Sequence, residues 1–402
     1  MIFGGMAKTV AACPGFRFAG ISAGIKKSLR PDLGLVVADD EVPTAAVFTQ
    51  NQMRAAPVLL SEKRVKAGLA RGIFINSGNA NACTGERGYS DAEAMGHYAA
   101  RAVGCDEKRI LVASTGVIGQ PLPIDRIVAH TPAVAAALRP DGLDDFVHAI
   151  MTTDRFEKRA LGLLPIGKKE ARLVGVAKGA GMIAPNMATT LGFVFTDAAV
   201  SKAFLKKALG ATIEDTFNRV SVDGDTSTND SVFVMASGAA KNPVIDGGPR
   251  GVDFQKALFD VLDDLSRQIV RDGEGATHVV TIDVLGGPSA AAAERVARRI
   301  GASPLFKSAL FGADPNWGRI LCAVGNSGVE VNPAKIDVSI GEVQIVAAGV
   351  GVGGDAQTRA HEVMRRGEYT IYVHLHGGRG QGRHTTCDLT VDYVKLNADY
   401  ST

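Results

Sequence analysis

Thirteen residues near the middle of the chain, Lys178-Gly-Ala-Gly-Met-Ile-Ala-Pro-Asn-Met-Ala-Thr-Thr190, crowd small side chains into a turn directly ahead of the strand-like run Leu191-Gly-Phe-Val-Phe-Thr196. A threonine whose upstream peptide bond is strained can attack that carbonyl through Oγ, form an ester and lose the upstream segment to water. Here the cut would fall between Ala188 and Thr189. The new N-terminal threonine has an α-amine of reference pKa about 7.7–8.0 beside its own hydroxyl, so one residue supplies both attacking oxygen and general base. A strand that starts at once afterwards holds Oγ rigid, as acyl transfer requires of a positioned nucleophile. On local chemistry alone the simpler reading stays ahead: a glycine-rich loop entering a strand, with Thr189 and Thr190 as ordinary β-formers.

The elements that must hold such a site are visible as short apolar runs between glycines and polar turns. Leu35-Val36-Val37, Ile73-Phe74-Ile75, Ile110-Leu111-Val112, Phe193-Val194-Phe195, Val232-Phe233-Val234 and Val279-Val280-Thr281-Ile282 are predicted to be buried strands. Between them Ser90 to Val103 is predicted helical, since Ser90 and Glu93 have the capping-box spacing. Phe254, Leu258, Leu262, Leu265 and Ile269 form a second helical stripe, ended by Gly273. This interleaving predicts an α/β (α+β) class with at least one large sheet. The Pro and Gly cluster at 242–251 is predicted to be an exposed loop, and Val391, Tyr393 and Leu396 predict a packed tail.

With 402 residues, 46% of them apolar and 21% charged, the chain has the size and composition of a large folded unit or of two or three domains. A net charge of +2 argues against nucleic acid and anionic membrane as partners and favours a small molecule. The five cysteines are scattered and include no C-x-x-C, so neither a disulfide framework nor a metal site is expected. No stretch has the roughly 20 apolar residues of a membrane span, and the start lacks a secretory pattern, so a cytoplasmic protein is expected.

The central segment resembles the cleavage segment of the ornithine acetyltransferase family of arginine biosynthesis, in which Thr follows Asn-Met-Ala. Six further stretches look like signatures of the same family and follow in order to the C-terminus. They are Asn76-Ser-Gly-Asn-Ala-Asn-Ala-Cys83, Ser114-Thr-Gly-Val-Ile-Gly119, Met151-Thr-Thr-Asp154, Ser221-Val-Asp-Gly-Asp-Thr-Ser-Thr-Asn-Asp230, Gly312-Ala-Asp-Pro-Asn-Trp-Gly318 and the run from Cys387 to Tyr400. The resemblance implies a layered sandwich of sheets flanked by helices, as in N-terminal-nucleophile enzymes, with residues 1–188 as an α chain and 189–402 as a β chain after cleavage. The family's usual assembly is two copies of each fragment, α2β2.

The resemblance also implies roles. Thr115 and Gly116 match an oxyanion hole, a hydroxyl and a backbone N–H aimed at the oxygen of a tetrahedral intermediate. Thr152, Lys178, Thr189, Glu274, Asn397 and Thr402 match substrate contacts, Thr153 replacing Thr152 if the register shifts by one. Lys178 would hold a carboxylate and Glu274 an amine. The sequence departs from the family pattern at Arg155-Phe156, at Arg383-His-Thr-Thr386 and at Thr190.

The implied reaction is a ping-pong transfer of acetyl from N2-acetyl-L-ornithine through acetyl-Thr189 to L-glutamate, with no cofactor and no metal, acetyl-CoA being open as a further acetyl donor. One alternative is an N-terminal-nucleophile aminopeptidase or amidohydrolase, which gives the acyl group to water. Another is a dinucleotide-binding oxidoreductase, for which Gly349-Val-Gly-Val-Gly-Gly354 offers a G-x-G-x-x-G after a strand-like run. His374 and His376 share one side of a strand, but no third ligand with metal spacing accompanies them.

Overall fold

Apolar runs rich in β-branched and aromatic residues bury both faces of a strand, and here they condense into two sheets covered by helices. The computed structural model describes residues 12–167, 169–184 and 190–399. In spatial order the first sheet carries Ile110–Val117, Leu69–Asn79, Leu33–Phe48, Ser231–Ala236, Leu191–Thr196, Lys169–Lys178 and Lys158–Ile166, and Phe16–Ile21 pairs beside Leu33–Phe48. The second runs Val350–Gly351, Val343–Ala347, Asp337–Ile340, Glu368–His374, Val279–Gly287, Gly380–Cys387 and Val220–Ser221. All six apolar runs lie inside these strands, and the expected α/β (α+β) layering of sheets and helices is met.

The first sheet is packed on both faces. The helix Gly248–Arg271 buries Phe254, Leu258, Val261, Leu262, Leu265 and Ile269, crossing the strands Lys158–Ile166 and Lys169–Lys178. On the opposite face Phe146 of the helix Leu143–Ile150 joins Phe16, Phe18, Phe193, Phe195 and Phe233, with Phe18 edge-on to Phe195 at 5.0 Å and Phe193 stacked on Phe233 at 5.6 Å. Each such buried side chain contributes about 1.5–3 kcal/mol. The layers therefore fix the strand ends that reach the site. The second sheet has its own apolar core, formed with the helices Ala290–Gly301, Trp317–Gly325 and Ala356–Met364.

Several expectations are corrected. The helix containing Ser90 begins at Gly85, so Ser90 lies inside it, because burial of Gly88, Asp91, Ala92 and Met95 carries the packed face a turn further back; Thr84 stands at its N-cap with its hydroxyl donated to Asn81 Oδ1 rather than engaged in a capping bond. The helix Gly248–Arg271 takes in the end of the 242–251 cluster, with Pro249 in its first turn, where a missing N–H costs nothing. It ends through Asp272 rather than a left-handed Gly273. The tail forms a helix, Val391–Asp399, but Val391 and Leu396 are 57% and 52% exposed, and Tyr393 is its one half-buried residue. At helical spacing Tyr393 and Asn397 share a face, which turns Val391 and Leu396 outward.

The G-x-G-x-x-G lies in an edge hairpin, with Val346 opposite Gly351 and Ala347 opposite Val350. A dinucleotide site instead needs a glycine turn leading from a parallel strand into a helix N-terminus. His374 ends a strand, and His376 beyond it is bound 2.7 Å from Asp337 Oδ2. Among the described residues no group of three or more His, Cys, Asp or Glu is placed to hold a metal, and no helix is long and apolar enough to cross a membrane.

Candidate active site

Where the strands Ile110–Val117, Lys169–Lys178 and Leu191–Thr196 meet the 221–230 run, they enclose a cavity of about 280 Å³. Thr115, Gly116, Thr152, Thr153, Lys178, Glu274 and Asn397 all line it, as do Thr190 and Leu191. Residues scattered over the sequence thus share one small space. Ala188, Thr189 and Thr402 lie outside the described residues.

Thr115 and Gly116 stand at a bulge. Asn79 of the neighbouring parallel strand faces both Thr115 and Val117, and Gly116 opposes Gly78. A bulge bends a strand and re-aims its groups, here toward the cavity. Gly116 has φ +133°, and a Cβ there would fall 2.4 Å from the Gly78 carbonyl carbon, so only glycine fits. The Thr115 hydroxyl accepts a hydrogen bond from Lys178 Nζ at 3.2 Å, which leaves its own proton to donate. The Asn76–Cys83 stretch walls this corner: Ser114 Oγ donates to Asn76 Oδ1 at 2.6 Å, and Asn229 Nδ2 donates to Ala80 O and Ser114 O at 2.6 and 2.8 Å.

Lys178 ends its strand opposite Leu191 and is buried. Burial lowers its ammonium pKa, opposed by the negative field of Asp154, Asp230 and Glu274. Asp154 is the joint of this wall. Its Oδ1 accepts from Gly179 N at 2.7 Å and Lys158 Nζ at 2.6 Å, and its Oδ2 accepts from Thr152 N at 2.8 Å. Burial alone would raise the Asp154 carboxyl, but Lys158 and Lys178 bring it well below the ordinary carboxylate range.

Lys158, wholly buried, also donates to Asp272 Oδ2 at 2.5 Å, and Arg155 Nε lies 3.1 Å from Asp272 Oδ1. Asp272 stands two residues before Glu274. One buried Asp154–Lys158–Asp272 chain therefore sets the Thr152–Thr153 loop, the Lys178 strand end and the approach to Glu274 in fixed relation. Arg155, where the sequence leaves the family pattern, closes that chain.

Glu274 N donates to Ala180 O at 2.8 Å, and the Glu274 carboxylate lies over Gly181, where a Cβ would come within 2.5 Å of it. Asn397 Nδ2 donates to Glu274 Oε2 at 3.0 Å, so the terminal helix does reach the site although its apolar residues stay exposed. Asp223 accepts from Met182 N and Ile183 N at 2.6 and 2.7 Å, fixing the Lys178 segment from the other side.

The sequence named no role for Asp154, Lys158, Asp272, Asp223, Asn229 or Asp230. A signal existed for three of these, since the polar run 221–230 ends abruptly at the apolar strand Ser231–Ala236. Gly312–Gly318, also family-like, contributes no cavity residue: Asn316 caps the helix Trp317–Gly325 through Arg319 N, and Trp317 packs on the second core.

Paired donors at a bulge, a buried cation and a carboxylate around one cavity make a site of the acyl-transfer class. The comparisons with known proteins agree in kind. Residues 17–402 match the ArgJ family, to which this chain belongs. The arginine biosynthesis bifunctional protein ArgJ of Geobacter sulfurreducens is 47% identical over 389 residues, covering 96% of this chain and 99% of that protein. Its counterpart from Symbiobacterium thermophilum is 45% identical over 400 residues, 99% of each. A crystal structure of the Bacillus halodurans protein, 45% identical, aligns with a TM-score of 0.51 over 53% of this chain and 100% of the solved one.

Proposed function

We propose that this protein is a self-cleaving acetyltransferase of arginine biosynthesis that moves acetyl from N2-acetyl-L-ornithine to L-glutamate through acetyl-Thr189. The observation that carries the reading is the convergence of Lys178, Glu274 and the Thr115–Gly116 donors on one cavity entered by the strand that starts at Leu191. Both substrates carry an α-carboxylate and an α-nitrogen, so one cationic clamp and one anionic clamp bind either, and binding is spent on orientation at the acetyl carbon. Thr152, Asn397 and Thr402 complete the substrate contacts in this reading. Acetyl-CoA enters, if used, as a second donor to the same threonine.

Cleavage between Ala188 and Thr189 gives fragments of 188 and 214 residues out of 402. The solved Bacillus halodurans chain matches along its whole length while covering 53% of this one, the share a fragment of 214 residues would have. The cut does not separate domains. Lys178 and Leu191 are partners in adjacent antiparallel strands, so the fragments remain joined within one sheet. Two copies of each fragment then form the cytoplasmic enzyme.

Intact mass under denaturing conditions tests the cut, and a single unbroken chain in active material would defeat the reading. Incubation with acetylornithine alone should place an acetyl increment on the fragment starting at Thr189 and release ornithine. Ornithine release that depends on glutamate separates a transferase from a hydrolase.

A further inference from the structure

The cavity wall holds its two clamps at a fixed span, and a fixed span chooses among substrates. We infer that Asp154 and Asp272, bridged by Lys158, are positioning residues for the choice of acetyl acceptor. The closed ring they form sets the reach from Lys178 to Glu274, so the site takes amino acids whose amine and carboxylate share one carbon and rejects those with a further carbon between them. This rests on the reading of Lys178 as the carboxylate clamp and Glu274 as the amine clamp of an acetyltransferase.

Four hydrogen bonds trace the ring. Gly179 N, next to Lys178, donates to Asp154 Oδ1 at 2.7 Å, and Lys158 Nζ donates to the same oxygen at 2.6 Å and to Asp272 Oδ2 at 2.5 Å. Two residues beyond Asp272, Glu274 N donates to Ala180 O at 2.8 Å, and Ala180 follows Gly179 in the chain. The circuit thus returns to its start beside Lys178. Further bonds brace it: Thr152 N donates to Asp154 Oδ2 at 2.8 Å, and Arg155 donates to the Asp272 carboxylate through both its backbone N and its Nε.

The side chains of Asp154, Lys158 and Asp272 are wholly buried, so no water takes the place of a broken bond. Opening the ring at any point strands a buried charged or polar group, and the ring therefore holds as a unit. The clamps inherit this rigidity. Lys178 is buried with its Nζ 3.2 Å from Thr115 Oγ1, and the Glu274 carboxylate is seated over Gly181, where a Cβ would come within 2.5 Å of it. Each lies in the other's field, yet among the described residues no ion pair joins them, which leaves the interval to a substrate's own opposite charges.

In an α-amino acid the carbon bearing the amine is bonded directly to the carboxyl carbon. A β-amino acid inserts one more carbon and displaces the amine by about 1.5 Å, one C–C bond. A yielding wall would absorb that shift, but a buried ring does not, and misplacing a reacting group by about 1 Å costs on the order of 10²-fold. In the transfer step the acceptor's nitrogen bonds to the acetyl carbon, the ester C–O bond of the acetyl-enzyme breaks, and a proton of the amine ends on the freed hydroxyl. The nitrogen must therefore reach the acetyl group while the carboxylate stays on Lys178. L-Glutamate meets this demand; β-glutamate (3-aminopentanedioate), of the same atomic composition and charge, does not.

The test offers L-glutamate and β-glutamate together, with acetylornithine as donor, and separates the two acetylated products by chromatography. Both acceptors compete for one acetyl-enzyme, so the product ratio does not depend on how much of the protein is folded. The parent should favour L-glutamate by about 10²-fold in kcat/KM, and a preference below about tenfold overturns the proposal. Asp154→Asn leaves one oxygen where Gly179 N, Lys158 Nζ and Thr152 N converge on two. Its preference should fall by about fivefold or more, and a smaller fall overturns the proposal. Phe18→Leu, in the core of the first sheet and outside the cavity, should keep the parent's ratio; an equal fall there makes the effect one of general stability and also overturns it. Should Asp154→Asn not fold, Arg155→Gln decides, because that half-exposed side chain steadies Asp272 without filling the interior. A fall of about threefold or more supports the proposal and a smaller one overturns it. Failure of the underlying reading is distinguishable, since the parent itself would then acetylate neither acceptor.

Discussion

Two hollows open on the first sheet, and their walls are built differently. The wider one, a groove of about 1000 Å³, runs along Thr44–Phe48 between the helices Ala56–Val65 and Lys202–Asp215. Its charges, including Glu62, Lys66, Lys202, Lys206 and Glu214, sit on exposed or half-buried side chains. The cavity of about 280 Å³ is far smaller, yet Lys178 and Asp230 are buried in its wall, with the Asp154–Lys158–Asp272 chain directly behind it. Taking charges out of water is costly unless they are paired, and fixed, desolvated groups act strongly on a ligand. Convergence of such groups, not volume, separates the site from the groove.

Five substitutions break or sharpen that contrast. Lys158→Met removes the buried cation shared by Asp154 and Asp272 and leaves Asp272 only its partner Arg155, so a loss of about 3–5 kcal/mol is expected, measured by urea unfolding. Thr115→Val removes the cavity hydroxyl proposed as an oxyanion donor, and kcat for acetyl transfer should fall by about 10²–10³, or about 2.7–4 kcal/mol, in steady-state assays.

The third concerns His384, bonded to Ser221 at the root of the 221–230 run and pushed down to about 3 by burial and the cations Arg298 and Lys307. Its folded pKa lies below the unfolded value, so between about pH 6.5 and 3 only the unfolded state takes the proton and acid destabilises. About 3 kcal/mol should be lost by pH 4, and His384→Gln should flatten that part of the stability profile. Smallest of all, Lys202→Ala or Lys206→Ala in the groove should change stability by less than about 0.5 kcal/mol and leave transfer unaltered. A large effect on transfer would erase the distinction between the two hollows.

Much of the cavity was legible because its makers are short contiguous motifs. Thr115-Gly116, Thr152-Thr153 and Lys178 lie in family-like stretches, and each reaches the cavity. The apolar runs likewise predicted the strands, since strand burial is written locally in residue type. Helix limits were less legible. Ser90 and Glu93 have the spacing of a cap, but packing of Gly88 and Asp91 extends the helix past it, and tertiary burial outweighs a cap of about 1 kcal/mol. The tail misled for a related reason: Val391 and Leu396 signalled packing but stay exposed, whereas Tyr393 and the polar Asn397 are the tail residues that line the cavity.

By itself the sequence determined the interleaved α/β class, the predicted strands and a set of polar motifs too unusual for mere turns, because these depend on residue type over a few positions. Only the tertiary structure decided that Asp154, Lys158 and Asp272 form one buried chain, that Asp223 and Asn229 brace the cavity, and that Asp230 is buried in the cavity wall beside the strand Leu191–Thr196. The physical reason is that desolvation and pairing depend on distances between residues far apart in sequence, 117 positions for Arg155 and Asp272 and 149 for Ala80 and Asn229, and no local pattern encodes such a separation.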